Sequence, residues 1–334
     1  MEIDLPLIWA AIIAFAILAY VILDGFDLGV GILFPLIKGE KNKDLAMNTV
    51  APVWDGNETW LVLGGGGLFA VFPLAYAVVM PALYAPIIAM LLALVFRGVA
   101  FEFRWRTVRG KFLWDWSFFI GSTMAAFAQG VALGALVQGI AIEGRAYGGG
   151  NWDWLTPFSI LTGLSLVVGY ALLGATWLVM KTEGYVRERG VRLAWVTGAG
   201  TFVAIGLVSL ITPFLNPEYL ESWFGMPNVF FTLWVPALLI VTAWFFVRGL
   251  REERDAWPFL AALIAFTLSF VGLGISFYPN MVPPDLTIWE AAAPDESLIF
   301  LLVGALVLVP LILAYTAYAY WVFRGKVDPE HGYH

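Results

Sequence analysis

The 334-residue sequence contains no cysteine, and its two histidines, His331 and His334, stand at the C-terminal end. A chain without cysteine forms no disulfide, holds no iron–sulfur cluster and uses no thiol nucleophile. A chain without histidine in its apolar segments offers no bis-histidine or His/Met pair for a haem iron. These absences exclude the common protein-ligated redox centres from this polypeptide.

Charged residues are scarce as well. They make up 13% of the chain, against roughly a quarter in soluble proteins. Hydrophobic residues make up 61% and the mean hydropathy is +0.83, which indicates an all-α polytopic membrane protein. The acidic Glu2 and Asp4 precede the first apolar stretch where a signal peptide would be basic, so we expect that stretch to be retained as a span.

Nine apolar stretches approach or exceed the ~20 residues that a helical span needs. They lie near residues 7–36, 52–78, 81–103, 115–140, 157–180, 192–213, 228–247, 257–277 and 297–322. A tight turn near Met80 and Pro81 is expected between the second and third spans. A Gly-rich loop, 148–151, follows the fourth span and suggests a division into halves, although no sequence repeat supports it.

Lysine and arginine are distributed unequally between alternate loops. One set of loops carries 16 of the 18 basic residues, whereas the other set carries Arg145, and Arg97 lies within a span. Because basic loops face the cytoplasm, the N-terminus is expected outside and the C-terminus in the cytoplasm. An odd number of spans agrees with this orientation.

Acidic residues interrupt the first three spans near their cytoplasmic ends. Span 1 contains Asp24 and Asp27, three residues apart on one face, with Gly25 and Gly29 spaced for close approach of another helix. Span 2 opens with residues 54–60, which include Asp55, Asn57 and Glu58, and span 3 carries Arg97 and Glu102. Three helices are thus predicted to bring acids to one depth on one side of the membrane.

Two interpretations of these acids remain open. In the first, the charges are structural: Arg97 and one carboxylate form a buried pair that fixes helix packing, and acids in the first turn of span 2 are stabilised by the helix dipole. However, one arginine cannot neutralise four or more acids, so the others must be protonated, hydrated or ion-bound. Each of these states implies exchange with the cytoplasm, which favours a proton relay. For Asp24 and Glu102, a packing role is an equally good explanation.

Residues 64–67 are four consecutive glycines in span 2. Each costs about 1 kcal/mol relative to alanine in a helix, so a neighbour is expected to occupy the space. That neighbour is a crossing helix in one interpretation. In the other, it is a partner subunit or the edge of a cofactor, packed on the flat surface that the glycines leave. A nucleotide site is excluded because no strand precedes the glycines and no Lys-Ser/Thr follows.

These motifs together resemble subunit II of the cytochrome bd-type quinol oxidases, including the cyanide-insensitive branch. The resemblance rests on residues 24–31, 51–60, 64–73 and 96–104, and length and span number extend it to the whole chain. It implies two four-helix bundles plus one extra helix, here residues 1–140, 141–278 and 279–334. It also implies a location in the prokaryotic cytoplasmic (inner) membrane.

The resemblance further implies that a partner, subunit I, binds two b-type haems and one d-type or third b-type haem. Subunit II is then haem-free, with no catalytic residue, cofactor or metal of its own. The complex oxidises quinol on the outer side and reduces dioxygen to water with cytoplasmic protons. In that family a proton inlet is associated with the aspartate that is Asp55 here.

From depth and spacing, we extend the expected proton path beyond Asp55 to the following residues: Asn57, Glu58, Asp24, Asp27, Arg97 and Glu102. Two alternatives are a cation or proton transporter that uses the same acids, and a purely structural partner of subunit I. The sequence leaves open which quinone is used, whether small accessory subunits bind, and whether membrane lipid or quinone fills a groove. Nothing in it indicates a nucleic-acid partner.

Overall fold

The computed structural model describes residues 4–328, so Glu2, His331 and His334 lie outside the described residues. Its α-helices, in chain order, are α1 (Leu5–Leu33), α2 (Glu40–Asn48), α3 (Trp54–Val71), α4 (Pro73–Ala82), α5 (Tyr84–Arg106), α6 (Lys111–Gln138), α7 (Pro157–Lys181), α8 (Gly184–Ile211), α9 (Pro217–Phe224), α10 (Val229–Thr232), α11 (Trp234–Arg251), α12 (Trp257–Phe277), α13 (Ile288–Ala291) and α14 (Asp295–Val322). The 3-10 turns Phe34–Leu36 and Thr212–Phe214 extend α1 and α8. Two short antiparallel hairpins pair β1 (Ile142–Glu143) with β2 (Ala146–Tyr147), and β3 (Asn280–Val282) with β4 (Leu286–Thr287).

Eight helical segments within residues 4–328 are long and apolar enough to cross a membrane, with α10 and α11 joined in one of them. The remaining predicted span, 52–78, is formed by α3 and α4 in succession. The all-α, multi-span fold predicted from the sequence is therefore confirmed, and α3 with α4 provides the ninth span.

The second span is broken, which the sequence analysis did not predict. Phe72, between α3 and α4, has φ −123° and ψ 63°. A residue before a proline is sterically disfavoured in the helical conformation, and Pro73 itself has no N–H to donate. The Val71 carbonyl accepts a hydrogen bond from the Ala293 amide at 2.8 Å. The turn expected near Met80 falls slightly later, at Leu83.

Helix α1 lies at the centre of the fold, where it packs against α3, α6 and α7. Helix α5 packs on α6, α7 on α8, and α11 on α12. The division of the chain at residues 140 and 278 stays a prediction. We call the membrane side that carries residues 34–53, 107–110, 182–183, 252–256 and 323–328 the basic side.

Helices α1 and α7 cross with their backbones in contact. A Cβ atom on Gly29 would overlap the Tyr170 carbonyl oxygen and approach Gly174 Cα to 2.9 Å. One turn earlier, a Cβ atom on Gly25 would lie 2.8 Å from the Tyr170 ring. The close approach predicted from the spacing of these two glycines is therefore observed, and it places Asp24 and Asp27 in the interior of the fold.

The four consecutive glycines of α3 lie on two faces of the helix that have different surroundings. Cβ atoms on Gly64 and Gly67 would lie 3.3 Å from side chains of α1, Ile17 and Ile13 respectively. Gly65 and Gly66 have nothing within 4 Å of the corresponding position. A helix crossing thus explains the first pair of glycines, while the second pair leaves a flat face open.

Helix α14 is held mainly at its ends, and Leu298 is its one buried residue among those described. At its beginning, Trp9 Nε1 donates to the Leu298 carbonyl at 3.1 Å. Beyond its end, Lys181 Nζ donates to the Phe323 carbonyl at 2.5 Å, and the Val327 amide donates to the Lys181 carbonyl at 2.8 Å. The chain after α14 is therefore attached to the end of α7.

Lys326 fastens the same segment to the loop after α11. Its Nζ donates to Asp255 Oδ2 at 2.7 Å, and Arg187 Nε donates to Asp255 Oδ1 at 2.9 Å. Partial burial raises the pKa of Asp255, but these hydrogen bonds and charges outweigh it and leave the pKa below its usual value. We call residues 323–327 the tail clamp.

The helix crossing at Gly29 yields a stability prediction. Gly29→Ala should destabilise the protein by about 1–3 kcal/mol or more, because the added methyl group meets backbone atoms that cannot move aside. Gly206→Ala is the matched control, since Gly206 lies in α8 with open space around it. It should be neutral or stabilising by up to about 1 kcal/mol. Thermal unfolding followed by tryptophan fluorescence checks both variants, and equal midpoints would contradict the prediction.

A buried acidic cluster as the candidate functional site

Four charged side chains meet between α1, α3 and α5 towards the basic side. Asp24 and Asp27 come from α1, Glu58 from the beginning of α3, and Arg97 from α5. The side chains of both aspartates and of Arg97 are completely buried, whereas the Glu58 side chain is 26% exposed. We call these four residues the acidic cluster.

The Arg97 guanidinium is the hub of this cluster. Its Nη2 donates to Asp24 Oδ1 at 2.5 Å and lies 3.8 Å from Asp27 Oδ2. Its Nη1 donates to Glu58 Oε1. Planar guanidinium groups present several donors in a fixed fork, so one arginine holds carboxyl groups from two other helices. The three helices are fixed to one another through this side chain.

Asn57, which is 1% exposed, supports Asp27 from the next helix. Its Nδ2 donates to Asp27 Oδ2 at 2.6 Å and to the Leu23 carbonyl at 3.3 Å. Its Oδ1 accepts a hydrogen bond from the Tyr320 hydroxyl at 2.9 Å. Asn57 is among the site residues predicted from the sequence and Tyr320 is not, because nothing in a linear sequence shows that α14 reaches α3.

The acidic cluster has more carboxyl groups than its single positive charge can balance. Three carboxyl groups face one guanidinium, so two negative charges remain if all three are ionised. Asp24 Oδ2, Asp27 Oδ1 and Arg97 Nε are buried without a hydrogen-bond partner. Unbalanced charge in an apolar interior is unfavourable by several kcal/mol. Bound protons are the smallest compensating charges, and the free carboxyl oxygens provide places for them.

A second buried arginine, Arg104, lies seven residues after Arg97 on the same face of α5. Its Nε donates to Asp115 Oδ1 at 2.6 Å, its Nη1 to Asp44 Oδ1 at 2.6 Å, and its Nη2 to Glu40 Oε2 at 3.3 Å. Lys43 and Lys111 also pair with these acids. Three bases therefore balance three acids, and this group attaches α2 to α5 and α6. This group is not predicted from the sequence, in which Arg104 is assigned to a basic loop.

An aromatic layer separates the two arginines. The Trp54 ring stacks on Phe101 with centroids 4.8 Å apart, and Phe118 lies 5.1 Å from both Phe101 and Phe34. The Arg97 guanidinium lies 5.5 Å from the Trp54 ring, and that of Arg104 lies 5.2 Å from the Phe34 ring. Apolar rings thus separate the acidic cluster from the Arg104 group, and the solvent-accessible member of the cluster is Glu58.

Apart from Asn57, which contacts Asp27, two predicted site residues lie outside the acidic cluster. Asp55 is exposed in the first turn of α3, three residues from Glu58. The Glu102 side chain is 58% exposed and pairs with Arg106 of its own helix at 3.3 Å. Glu102 follows Arg97 by five residues, which places it about 140° around the axis of α5 from Arg97, so the geometry does not bring it to the cluster. Its role in a proton path stays a prediction from the sequence.

The family described as cytochrome bd terminal oxidase subunit II matches residues 5–323. The chain belongs to this family. The cytochrome bd-I ubiquinol oxidase subunit 2 of Escherichia coli strain K12 is 31% identical, over 98% of this chain and 96% of its own length. The resemblance stated from the sequence motifs is therefore confirmed.

Two further comparisons agree with this membership. The cytochrome bd ubiquinol oxidase subunit 2 of Bacillus subtilis strain 168 is 28% identical, over 96% of both chains. Among solved structures, a bd oxidase chain from Geobacillus thermodenitrificans has a TM-score of 0.76 at 19% identity, covering 96% of this chain and 99% of its own. The second comparison bears on the fold alone, and both extend over nearly the entire chain.

The geometry of Arg97 yields a stability prediction. Arg97→Gln should destabilise the protein by about 3–5 kcal/mol, because it leaves buried carboxyl groups without their positive partner. The matched control on the same helix is Arg106→Gln, which removes an exposed i,i+4 pair and should cost about 0.3–0.5 kcal/mol. Thermal unfolding of the detergent-purified protein compares the two. Similar small changes in both variants would show that the cluster does not depend on its arginine.

Proposed function

We propose that this chain is the haem-free subunit II of a membrane quinol:dioxygen oxidoreductase and supplies a cytoplasmic proton inlet to the complex. The observation that carries the proposal is the excess of carboxyl groups around the buried Arg97. One of these groups, that of Glu58, is partly exposed at the surface. In this proposal the partner, subunit I, binds the haems, and quinol is the substrate of the complex. This chain alone performs no redox step.

The orientation of the inlet follows from the loop charges. The acidic cluster lies towards the basic side, which also carries the Arg104 group and the tail clamp. By the positive-inside rule, this side faces the cytoplasm. The N-terminus is then outside, the C-terminus is cytoplasmic, and protons reach the cluster from the side that supplies them for dioxygen reduction.

We propose an order of residues along the path. Asp55 is exposed and stands at the mouth, and Glu58 follows one turn later with its side chain 26% exposed. Asp24 and Asp27 form the buried end, where Arg97 holds them next to Glu58. The aromatic layer of Trp54, Phe101, Phe118 and Phe34 covers the approach from the Arg104 group. Uptake through Glu58 is therefore the route that this geometry favours.

The ligands available in this chain do not fit a haem. Residues 4–328 contain neither histidine nor cysteine, and the described acids form no group suited to a metal ion. Haem iron in proteins is held mainly by histidine, cysteine or a Met/His pair. We therefore assign the b-type haems, and the d-type or third b-type haem, to the partner, and we derive no step through a haem here.

We also propose that subunit I packs on the open face of α3. This face combines the flat surface at Gly65 and Gly66 with the residues Val62 and Phe69, which are 72% and 61% exposed. Small residues allow helices to approach closely in membranes, where van der Waals packing drives association. The helix break at Phe72 lies about 20 Å along the helix from Glu58, so it does not form part of the acidic cluster as the broken helices of transporters do.

Two conservative variants test the inlet. Asp55→Asn and Glu58→Gln should each lower quinol oxidase turnover by roughly tenfold or more, since each removes a proton-carrying group. The haem absorption spectrum and the subunit composition of the purified complex should be unchanged. Glu188→Gln is the control, because it removes an exposed acid from the beginning of α8 on the same membrane side, and it should leave turnover unchanged.

The same measurements separate the inlet from a purely structural role. Full turnover in both Asp55→Asn and Glu58→Gln, with a normal haem spectrum, would refute the relay and favour an assembly partner. Proton or cation flux through the single chain in liposomes would instead favour a transporter.

A further inference from the structure

Tyr320 reaches the candidate site from a distant part of the sequence. Its hydroxyl donates to Asn57 Oδ1 at 2.9 Å, although 263 residues separate the two. The ring lies edge-on to Phe26 and Trp177, each with its centroid 6.4 Å away. The hydroxyl is therefore directed at the amide by packing on α1 and α7.

The two acceptors that face Nδ2 determine the orientation of the Asn57 side chain, since the Tyr320 hydroxyl can either donate or accept. With Oδ1 accepting from Tyr320, Nδ2 is directed at Asp27 Oδ2 at 2.6 Å and at the Leu23 carbonyl at 3.3 Å. A flipped amide would set its oxygen against these two acceptors. The hydrogen bonds thus run in one direction, from Tyr320 to Asn57 and from Asn57 to Asp27, and every donor meets an acceptor.

The tail clamp keeps Tyr320 in this place. Helix α14 has little packing along its length, but three residues beyond Tyr320 the Phe323 carbonyl accepts from Lys181. Lys326 then bridges the Thr182 carbonyl at 3.2 Å and Asp255 at 2.7 Å. The attachment of the C-terminal segment to α7 and to the loop after α11 therefore fixes the height of Tyr320 against Asn57.

We propose that Tyr320 is a positioning residue for Asp27, acting through Asn57, and that the tail clamp holds it in register. The proposal rests on the proposed function, because it assigns Tyr320 a task within the proton inlet. Asn57 carries no exchangeable charge, so its part is to hold the Asp27 carboxyl group in one hydrogen-bonded state beside Arg97. Tyr320 and the tail clamp link the ninth span to the acidic cluster.

The test uses the complete oxidase complex with Tyr320→Phe, which removes the hydroxyl group and keeps the ring. Tyr318→Phe is the matched control, since the Tyr318 side chain is 62% exposed on the same helix. The first readout is the infrared carboxyl band that disappears in Asp27→Asn. This band should shift in Tyr320→Phe and stay in place in Tyr318→Phe. The haem spectrum reports intact assembly in each preparation.

The second readout is quinol oxidase turnover. Tyr320→Phe should lower turnover by roughly twofold to tenfold, which is the factor that corresponds to the free energy of one hydrogen bond. In an Asn57→Leu background, Tyr320→Phe should have no further effect on the band or on turnover. Lys326→Met should reproduce part of the band shift, because it loosens the tail clamp without touching the cluster.

The two readouts distinguish the possible failures. An unshifted Asp27 band in Tyr320→Phe, or a full additional effect in the Asn57→Leu background, overturns the positioning role. A shifted band with full turnover in both Tyr320→Phe and Glu58→Gln supports the positioning of Asp27 and refutes the proton inlet.

Discussion

The interaction on which the structure depends is the contact of one buried guanidinium with three carboxyl groups from two neighbouring helices. Arg97 is fully buried and binds Asp24 and Glu58, with Asp27 close by. Charges in a membrane interior are tolerated when they are paired, so this contact fixes α1, α3 and α5 at one relative height. It also leaves two carboxyl groups in excess, and the proposed proton inlet rests on this excess.

Close helix packing makes this contact possible. Gly29 against Gly174 brings the backbones of α1 and α7 together, and a Cβ atom on Gly121 of α6 would lie 2.9 Å from the Arg97 backbone nitrogen. Small residues thus let α7 approach α1, and α6 approach α5, closely. The Arg104 group, in contrast, balances its charges fully and lies at the edge of the fold, where it anchors α2.

The sequence predicted the spans, the common depth of Asp24, Asp27, Glu58 and Arg97 near one membrane side, and the close approach at Gly29, because each follows from hydropathy, helical spacing or the cost of charge in a membrane. It did not predict the helix break at Phe72 or the buried state of Arg104. Pro73 is a local signal for the break, but Ala293, the partner of the Val71 carbonyl, is distant in sequence, and Arg104 is buried against acids of two other helices, Asp44 and Asp115. Glu102 illustrates the opposite error, since hydropathy placed it at the right depth but not on the right face.

What the sequence alone determined is the class of protein, the family and the set of acids near one membrane side, since composition, periodicity and motif spacing are local properties. Tertiary structure decided which acids share a guanidinium, that Glu58 is the accessible member, and that Tyr320 joins the site from the ninth span. These features depend on the rotation and height of each helix against its neighbours. Side-chain packing across the whole bundle sets both quantities, and no local pattern in the chain records them.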